Sequence, residues 1–234
     1  MKMNSEVVDS GRPSLGIILL DTLFPRPIGD VGNPGTFPFP VLYEVVKGAI
    51  PSRVVQGRDS SLLPPFIEAA RRLVERGAKA ITTSCGFLAL FQRELSTAVP
   101  IPVFTSSLVQ IPWAYELVGR RGRIGVLTAD PQALGIDHLQ SVGAEGTPVV
   151  IGGMDPEGEF YETYVRNRPR ADFGKVEGEI VAKLEEMLRD HPDLSALVLE
   201  CTNMALYRRA LRKIFDRPIF DILTLIHYLH SSLK

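Results

Sequence analysis

Apolar residues fall along this chain in short unbroken runs, set apart by longer stretches with a helical period. Ser14–Leu20 reads Ser-Leu-Gly-Ile-Ile-Leu-Leu and stops at Asp21. A strand without polar alternation is covered on both faces, as inside a parallel sheet. Residues 78–84, 101–104, 124–128, 149–152, 195–200 and 218–220 carry the same signature. Between them the period lengthens. Ile67, Ala70, Leu73 and Val74 share one face of a helix predicted over 60–77, with Pro64 in its first turn and Gly77 closing it. Val176, Ile180, Leu184, Met187 and Leu188 do the same for 175–190. Further helices are predicted over 87–95, 113–118, 204–215 and 223–233. Strands alternating with helices predict parallel βαβ units, an α/β fold.

One stretch breaks the alternation. From Pro25 to Pro40 the chain carries repeated Pro and Gly with Asn33 and Thr36 among them. Pro removes donors and Gly costs order, so no regular element is expected there. A long loop after the first strand lies at the ligand-binding edge of such a sheet, and Asn33 and Thr36 are candidate cleft-wall residues.

The two halves match. A shift of 116 positions (201 − 85) lays Cys85 on Cys201, Ala80 on Ala196, Ala89 on Ala205, Leu90 on Leu206, Arg93 on Arg209, Leu95 on Leu211, Pro102 on Pro218 and Phe104 on Phe220. A shift of 109 (125 − 16) lays Gly16 on Gly125 and Asp21 on Asp130. Apolar strands alone do not produce a shared Cys, Arg, Pro and Phe in one register. A duplicated unit is expected, with two pseudo-symmetric Rossmann-like lobes. Lobe 1 spans 14–111 and lobe 2 spans 112–234, and the last helix packs back on lobe 1. Ligands of open α/β sheets bind at the carboxyl ends of strands. Both cysteines occupy that position and would face one cleft.

Two thiols across a cleft suit proton transfer. One takes a proton from a carbon while the other supplies one on the opposite face. Thiolate is the reactive form, and a helix N-terminus favours it. Predicted helices follow both cysteines, so lowered thiol pKa values are expected. The small or polar residues Gly86, Thr202 and Asn203 would leave amides open to a substrate carboxylate.

Composition narrows the picture. The chain has 234 residues, 45% hydrophobic and 23% charged, with net charge −1. That balance does not suit a nucleic-acid binder. No run approaches the ~20 residues of a membrane span, and no leader pattern is visible. A cytoplasmic chain with two free thiols is expected. The four histidines show no metal-ligand grouping, so no metal is expected.

The residues quoted above, with the segments Thr82-Thr83-Ser84-Cys85-Gly86, Glu200-Cys201-Thr202-Asn203 and Pro218-Ile219-Phe220-Asp221, resemble the aspartate/glutamate racemase superfamily. That group includes aspartate, glutamate and hydantoin racemases, arylmalonate decarboxylase and maleate isomerase. The resemblance implies a cofactor-independent racemase or epimerase acting on an amino acid or related carboxylate, with Cys85 and Cys201 as the acid/base pair. It implies that Asp21 is the acidic residue ending the first strand. Asn203 stands where glutamate racemases have His and aspartate racemases have Glu. The usual Cys-Asn-Thr is here Cys85-Gly86-Phe87, so Thr83 and Ser84 become candidates for the substrate clamp. A decarboxylase or cis–trans isomerase using one Cys, or a non-catalytic small-molecule binder, are the alternatives. A small carboxylate substrate and a homodimer or higher homo-oligomer are the expected partners.

Overall fold

The computed structural model describes residues 14–233. The polar segment 1–13 lies outside them. The fold is α/β, built on two four-stranded, all-parallel sheets.

The first sheet takes β1 (Ser14–Leu20) as an inner strand, flanked by β2 (Val41–Val46) and β3 (Ala78–Thr83), with β4 (Val103–Phe104) beyond β3. Its connections carry α1 (Pro51–Val54), α2 (Leu63–Glu75), α3 (Gln92–Ala98) and α4 (Ile111–Leu117). The second sheet repeats the order with β5 (Arg123–Thr128), β6 (Val149–Gly153), β7 (Leu194–Leu199) and β8 (Ile219–Phe220). Here the connections carry α5 (Ile136–Ser141), α6 (Phe173–Asp190) and α7 (Arg208–Leu211), and α8 (Ile222–Ser232) closes the described chain.

The register bears out the internal repeat. Gly16 pairs with Ile81 and Gly125 with Leu197. Thr82 pairs with Phe104 and Val198 with Phe220. The last ladder bonds match too: Ser84 N–H donates to the Ile18 carbonyl, and Glu200 N–H to that of Leu127. In each sheet the order of strand addition reverses between β1 and β3 and between β5 and β7, which is where open sheets build ligand sites.

Amphipathic α2 and α6 bury Phe66, Ala69, Ala70 and Leu73, and Val176, Ile180, Leu184 and Met187, against their sheets. Gly77 ends α2 with φ +90°, the left-handed conformation that lacks a Cβ penalty only for glycine. One apolar core runs through both sheets. A second joins Leu15 and Ile17 of β1 to Phe37 and Phe39 of the loop and to Ile222, Leu225 and Ile226 of α8. The long loop is thereby packed rather than free, and it contains one 3₁₀ turn, Pro34–Thr36.

Two helical expectations change in form. Residues 86–91 and 202–207 are 3₁₀ turns, leading only then into α3 and α7. Among the described residues, no helix is long and apolar enough to cross a membrane.

Candidate active site

β3 and β7 end side by side, and each delivers a cysteine in extended conformation. Cys85 (φ −150°, ψ 120°) and Cys201 (φ −71°, ψ 125°) both begin a 3₁₀ turn. Leu88 N–H closes one turn on the Cys85 carbonyl at 3.2 Å. Met204 N–H closes the other on the Cys201 carbonyl at 3.0 Å. Both thiols are free and buried. They line one cavity together with Leu20, Thr22, Phe24, Ser84, Gly86, Phe87, Tyr164, Glu200 and Asn203. The cavity is tight, with a volume of about 30 Å³.

The two sulfurs differ in company. Cys201 Sγ donates to Asn203 Oδ1 at 3.5 Å, and Asn203 Nδ2 donates to Asp30 Oδ2 at 2.8 Å. The second bond fixes the amide's orientation, so its oxygen faces the sulfur. Asp30 is fully buried and also accepts from Arg26 Nη1 at 2.7 Å and from Gly32 N–H at 2.7 Å. Cys85 has no such chain. Its N–H donates to Thr83 Oγ1 at 3.3 Å, and the N–H groups of Phe87 and Leu88 point at its sulfur.

Contrary to expectation, those amides do not bring the thiol below its ordinary pKa. Burial pushes Cys85 up to about 12, with the nearby Glu200 carboxyl adding to the rise and the two amides opposing it. Burial, then Glu200, holds Cys201 well above the ordinary thiol value. Desolvation of a charge outweighs a single turn's partial charge here. Glu200 is itself fully buried, and burial raises it to about 7 against the pull of Thr128 and the Ala129 amide.

Five expected site residues stand elsewhere. Asp21 turns to the surface, accepting from Gly48 N–H at 3.0 Å and Lys47 Nζ at 3.3 Å, and the Gly48 amide holds its carboxyl below the usual value. Asn33 and Thr36 serve the loop itself. Asn33 Nδ2 donates to the Arg26 carbonyl at 2.7 Å, and Thr36 Oγ1 donates to that of Asp30 at 2.7 Å. Thr83 is consumed by the backbone, its hydroxyl donating to the Thr105 carbonyl at 2.6 Å. Thr202 stitches the lobes together, donating to the Ser84 carbonyl at 2.8 Å. Ser84, Gly86 and Asn203 do line the cavity, along with both cysteines. Sequence reasoning missed Phe24, Asp30, Tyr164 and Glu200. Only Glu200, adjoining Cys201, carried a signal that could have found it. Among the described residues, no group of three or more His, Cys, Asp or Glu is placed to hold a metal.

Comparison with known proteins places this geometry. A dimethylsulfoniopropionate lyase of Durusdinium sp. clade D is 32% identical over 216 residues, covering 89% of this chain and 71% of that protein. The chain belongs to the dimethylsulfoniopropionate lyase family. Two further lyases of the family, numbers 7 and 3 of Emiliania huxleyi (strain CCMP1516), are 31% and 30% identical over 91% and 98% of this chain. The chain spans 64% and 62% of their length, less than two thirds. No family model matches the chain. Solved structures share the fold. Allantoin racemase from Klebsiella pneumoniae superposes with a TM-score of 0.66 at 16% identity, over 94% of this chain and 87% of its own. Unliganded arylmalonate decarboxylase gives 0.55 at 12% identity, over 88% and 86%. An aspartate racemase homologue from Pyrococcus horikoshii OT3 gives 0.58 at 17%, over 93% and 99%. The chain thus has the α/β fold of these racemases and of the decarboxylase.

Proposed function

We propose that the chain is a lyase that removes dimethyl sulfide from dimethylsulfoniopropionate by β-elimination, with Cys85 as the base. The observation that carries the reading is the 32% identity to a named lyase across 89% of the chain. The cavity supports it. The substrate joins a carboxylate to a sulfonium two carbons away. Phe24, Phe87 and Tyr164 wall the cavity with aromatic rings, and a desolvated cation is attracted to a ring face by ~2 kcal/mol. Ser84 accepts from Leu20 N–H at 3.0 Å, which leaves its O–H to donate to a carboxylate.

Base catalysis follows from the asymmetry of the sulfurs. Cys85 receives the amides of Phe87 and Leu88 and donates to no side chain, whereas Cys201 receives only the Asn203 amide and is bonded as a thiol to Asn203 Oδ1. Cys85 thiolate takes the proton from the carbon next to the carboxylate. The electron pair forms the double bond, and the carbon–sulfur bond breaks with its pair on sulfur. Acrylate and dimethyl sulfide leave. Incubating the purified chain with dimethylsulfoniopropionate and measuring dimethyl sulfide in the headspace tests this. Absence of release from a folded protein overturns it.

A second reading keeps the racemase chemistry, because both thiols border one cavity. In heavy water a two-base racemase would exchange the α-proton of amino acids or hydantoins without releasing sulfide.

A further inference from the structure

A cavity of about 30 Å³ has room for a water or two, far below the ~300 Å³ at which small-molecule sites begin. Substrate reaches the thiols only if a wall moves. The strand ends that carry Cys85 and Cys201 are held by ladder bonds, so the movable wall belongs to the connections. A second cleft, of about 300 Å³, backs onto the same wall. Chain neighbours divide between the two spaces. Val55, Ala129 and Tyr164 line the thiol cavity, whereas Gln56, Asp130 and Tyr161 line the outer cleft. The partition is therefore a single chain step thick at Val55–Gln56 and at Ala129–Asp130, and one turn thick between Tyr161 and Tyr164.

That turn is π-helical, Tyr161–Val165, with Arg166 N–H donating to the Tyr161 carbonyl at 2.9 Å. Such turns are rare and recur at functional sites. Its root is firm, because the Glu179 carboxylate accepts from Glu159 N–H and Phe160 N–H, both at 2.8 Å. The rest is tied by side chains. Tyr161 Oη donates to Asp130 Oδ2 at 2.8 Å and accepts from Nε2 of the exposed Gln56 at 2.7 Å. Asn167 Oδ1, just past the turn, accepts from Leu23 N–H at 2.7 Å at the surface. The Tyr164 ring meets that of Phe24 edge-on at 5.0 Å, and its hydroxyl is bonded to that of Tyr207 at 3.2 Å. Segments held by exposed hydrogen bonds open at lower free energy than the core. We infer that this π turn is the door of the active site, that Gln56–Tyr161–Asp130 is its latch, and that the outer cleft is the vestibule through which a small polar substrate enters. With the latch undone, Tyr164 and Val165 swing out with Tyr161 and the two spaces join. The inference goes beyond the lyase reading and serves the racemase reading equally, since either substrate outgrows the closed cavity.

The test is alkylation of the full chain by iodoacetamide, without substrate, in urea concentrations below the unfolding transition. Cys85 and Cys201 are followed separately by peptide mass spectrometry. Alkylation is slow against reclosing, so each rate scales with the open fraction. A door opens without exposing the rest of the chain, so in the wild type both rates stay nearly flat as urea rises. Gln56→Ala removes a neutral bond and raises both rates by a common factor of about 2–10. Tyr161→Phe keeps the ring, removes both latch bonds and raises both rates by about 10–100, again with little dependence on urea. Wild-type rates that climb with urea as steeply as global unfolding does overturn the door, because the thiols are then reached only by unfolding. Rates unchanged in both variants, or raised at one thiol alone, overturn it as well. The wild-type profile decides even where Tyr161→Phe fails to fold. No outcome depends on whether dimethyl sulfide is released, so the door and the lyase reading stand or fall separately.

Discussion

The two cysteine turns occupy matching places in matching lobes, yet only the scaffold is alike. Each follows the third strand of its sheet, each opens a 3₁₀ turn, and each is preceded by the same ladder bond. Cys201 is tied through Asn203 to buried Asp30, while Cys85 receives two backbone amides and has no such side-chain tie; the Glu200 charge acts on both. The repeated strand order places two thiols in equivalent positions, and their neighbours make them unequal. A symmetric two-base racemase needs both sulfurs to ionise in turn. A lyase needs one base, and the inequality favours that chemistry.

Removing the thiols separately tests the inequality and carries the largest effect. A positioned general base contributes ~10²–10⁴-fold to a rate. Cys85→Ala is expected to lose that much dimethyl sulfide release, and Cys201→Ala about tenfold less than that loss. Equal losses in both variants, with α-proton exchange also abolished, would restore the symmetric picture. Steady-state release assays on both purified variants decide it.

The buried carboxyl between the turns sharpens the comparison through stability. Burial raises Glu200 to about 7 from an ordinary carboxyl value of about 4.5. The folded state then binds the proton more tightly than the unfolded chain does. Its stabilising contribution is fully present below about pH 4.5 and is lost as pH rises through about 7. Glu200→Gln removes that loss. Urea unfolding should show the variant more stable than wild type at pH 8, by roughly 3 kcal/mol at most, and no such gain at pH 4.5. His138, held down to about 4 by burial, works in the opposite direction in both proteins. Its contribution fades as pH falls from about 6.5 toward 4, so it cancels from the difference.

The chain of bonds on the other sulfur breaks next. Asn203→Ala leaves the Asp30 Oδ2 atom without its buried donor and frees the Cys201 thiol. A hydrogen bond to a charged group is worth ~1.5–3 kcal/mol, and denaturant titration should register a loss of that size. The variant's Cys201 should also alkylate with a changed rate while Cys85 stays unaltered. A change confined to Cys85 would mean the two sulfurs are wired differently from this account.

These contrasts explain what the sequence disclosed. β1, β3, β5 and β7 were legible because both of their faces are buried, leaving continuous apolar runs. β2 escaped notice. It is an edge strand carrying Glu44, half-exposed along most of its length, and it lacks the run that marked the others. The stretches after the cysteines read as helices because Gly-Phe-Leu-Ala-Leu-Phe is apolar at any period. Tight 3₁₀ turns and α-helices bury such a run equally well. The paired cysteines stood out because only two exist in the chain. Asn33 and Thr36 were legible as loop residues but misread in role, because short polar side chains in Gly/Pro-rich loops bond their own backbone. Asp30 resembled any loop acid, and its burial depends on Asn203, 173 residues away. No local pattern announces that distance.

The smallest expected effect tests the other matched pair, Asp21 and Asp130, which end the first strand of each sheet. Asp130 is buried. Its Oδ1 accepts from Gln132 N–H at 2.9 Å and Ala133 N–H at 3.1 Å, and its Oδ2 accepts from the Tyr161 hydroxyl at 2.8 Å. Tyr161 Oη already accepts from Gln56 Nε2 at 2.7 Å. Asp130→Asn would therefore put an amide N–H₂ against an oxygen in use and strip the tyrosine proton of its acceptor. The cost is ~1–3 kcal/mol. Asp21 keeps its Gly48 amide bond when changed to Asn and loses only an exposed lysine, an interaction of the ~0–1 kcal/mol class. Its carboxyl is held low by that amide, so its small contribution is present above about pH 4 and fades below. Urea midpoints at pH 7 should separate the two variants clearly. Equal destabilisation would mean that Asp21 is buried in solution, against some surface that the isolated chain leaves open.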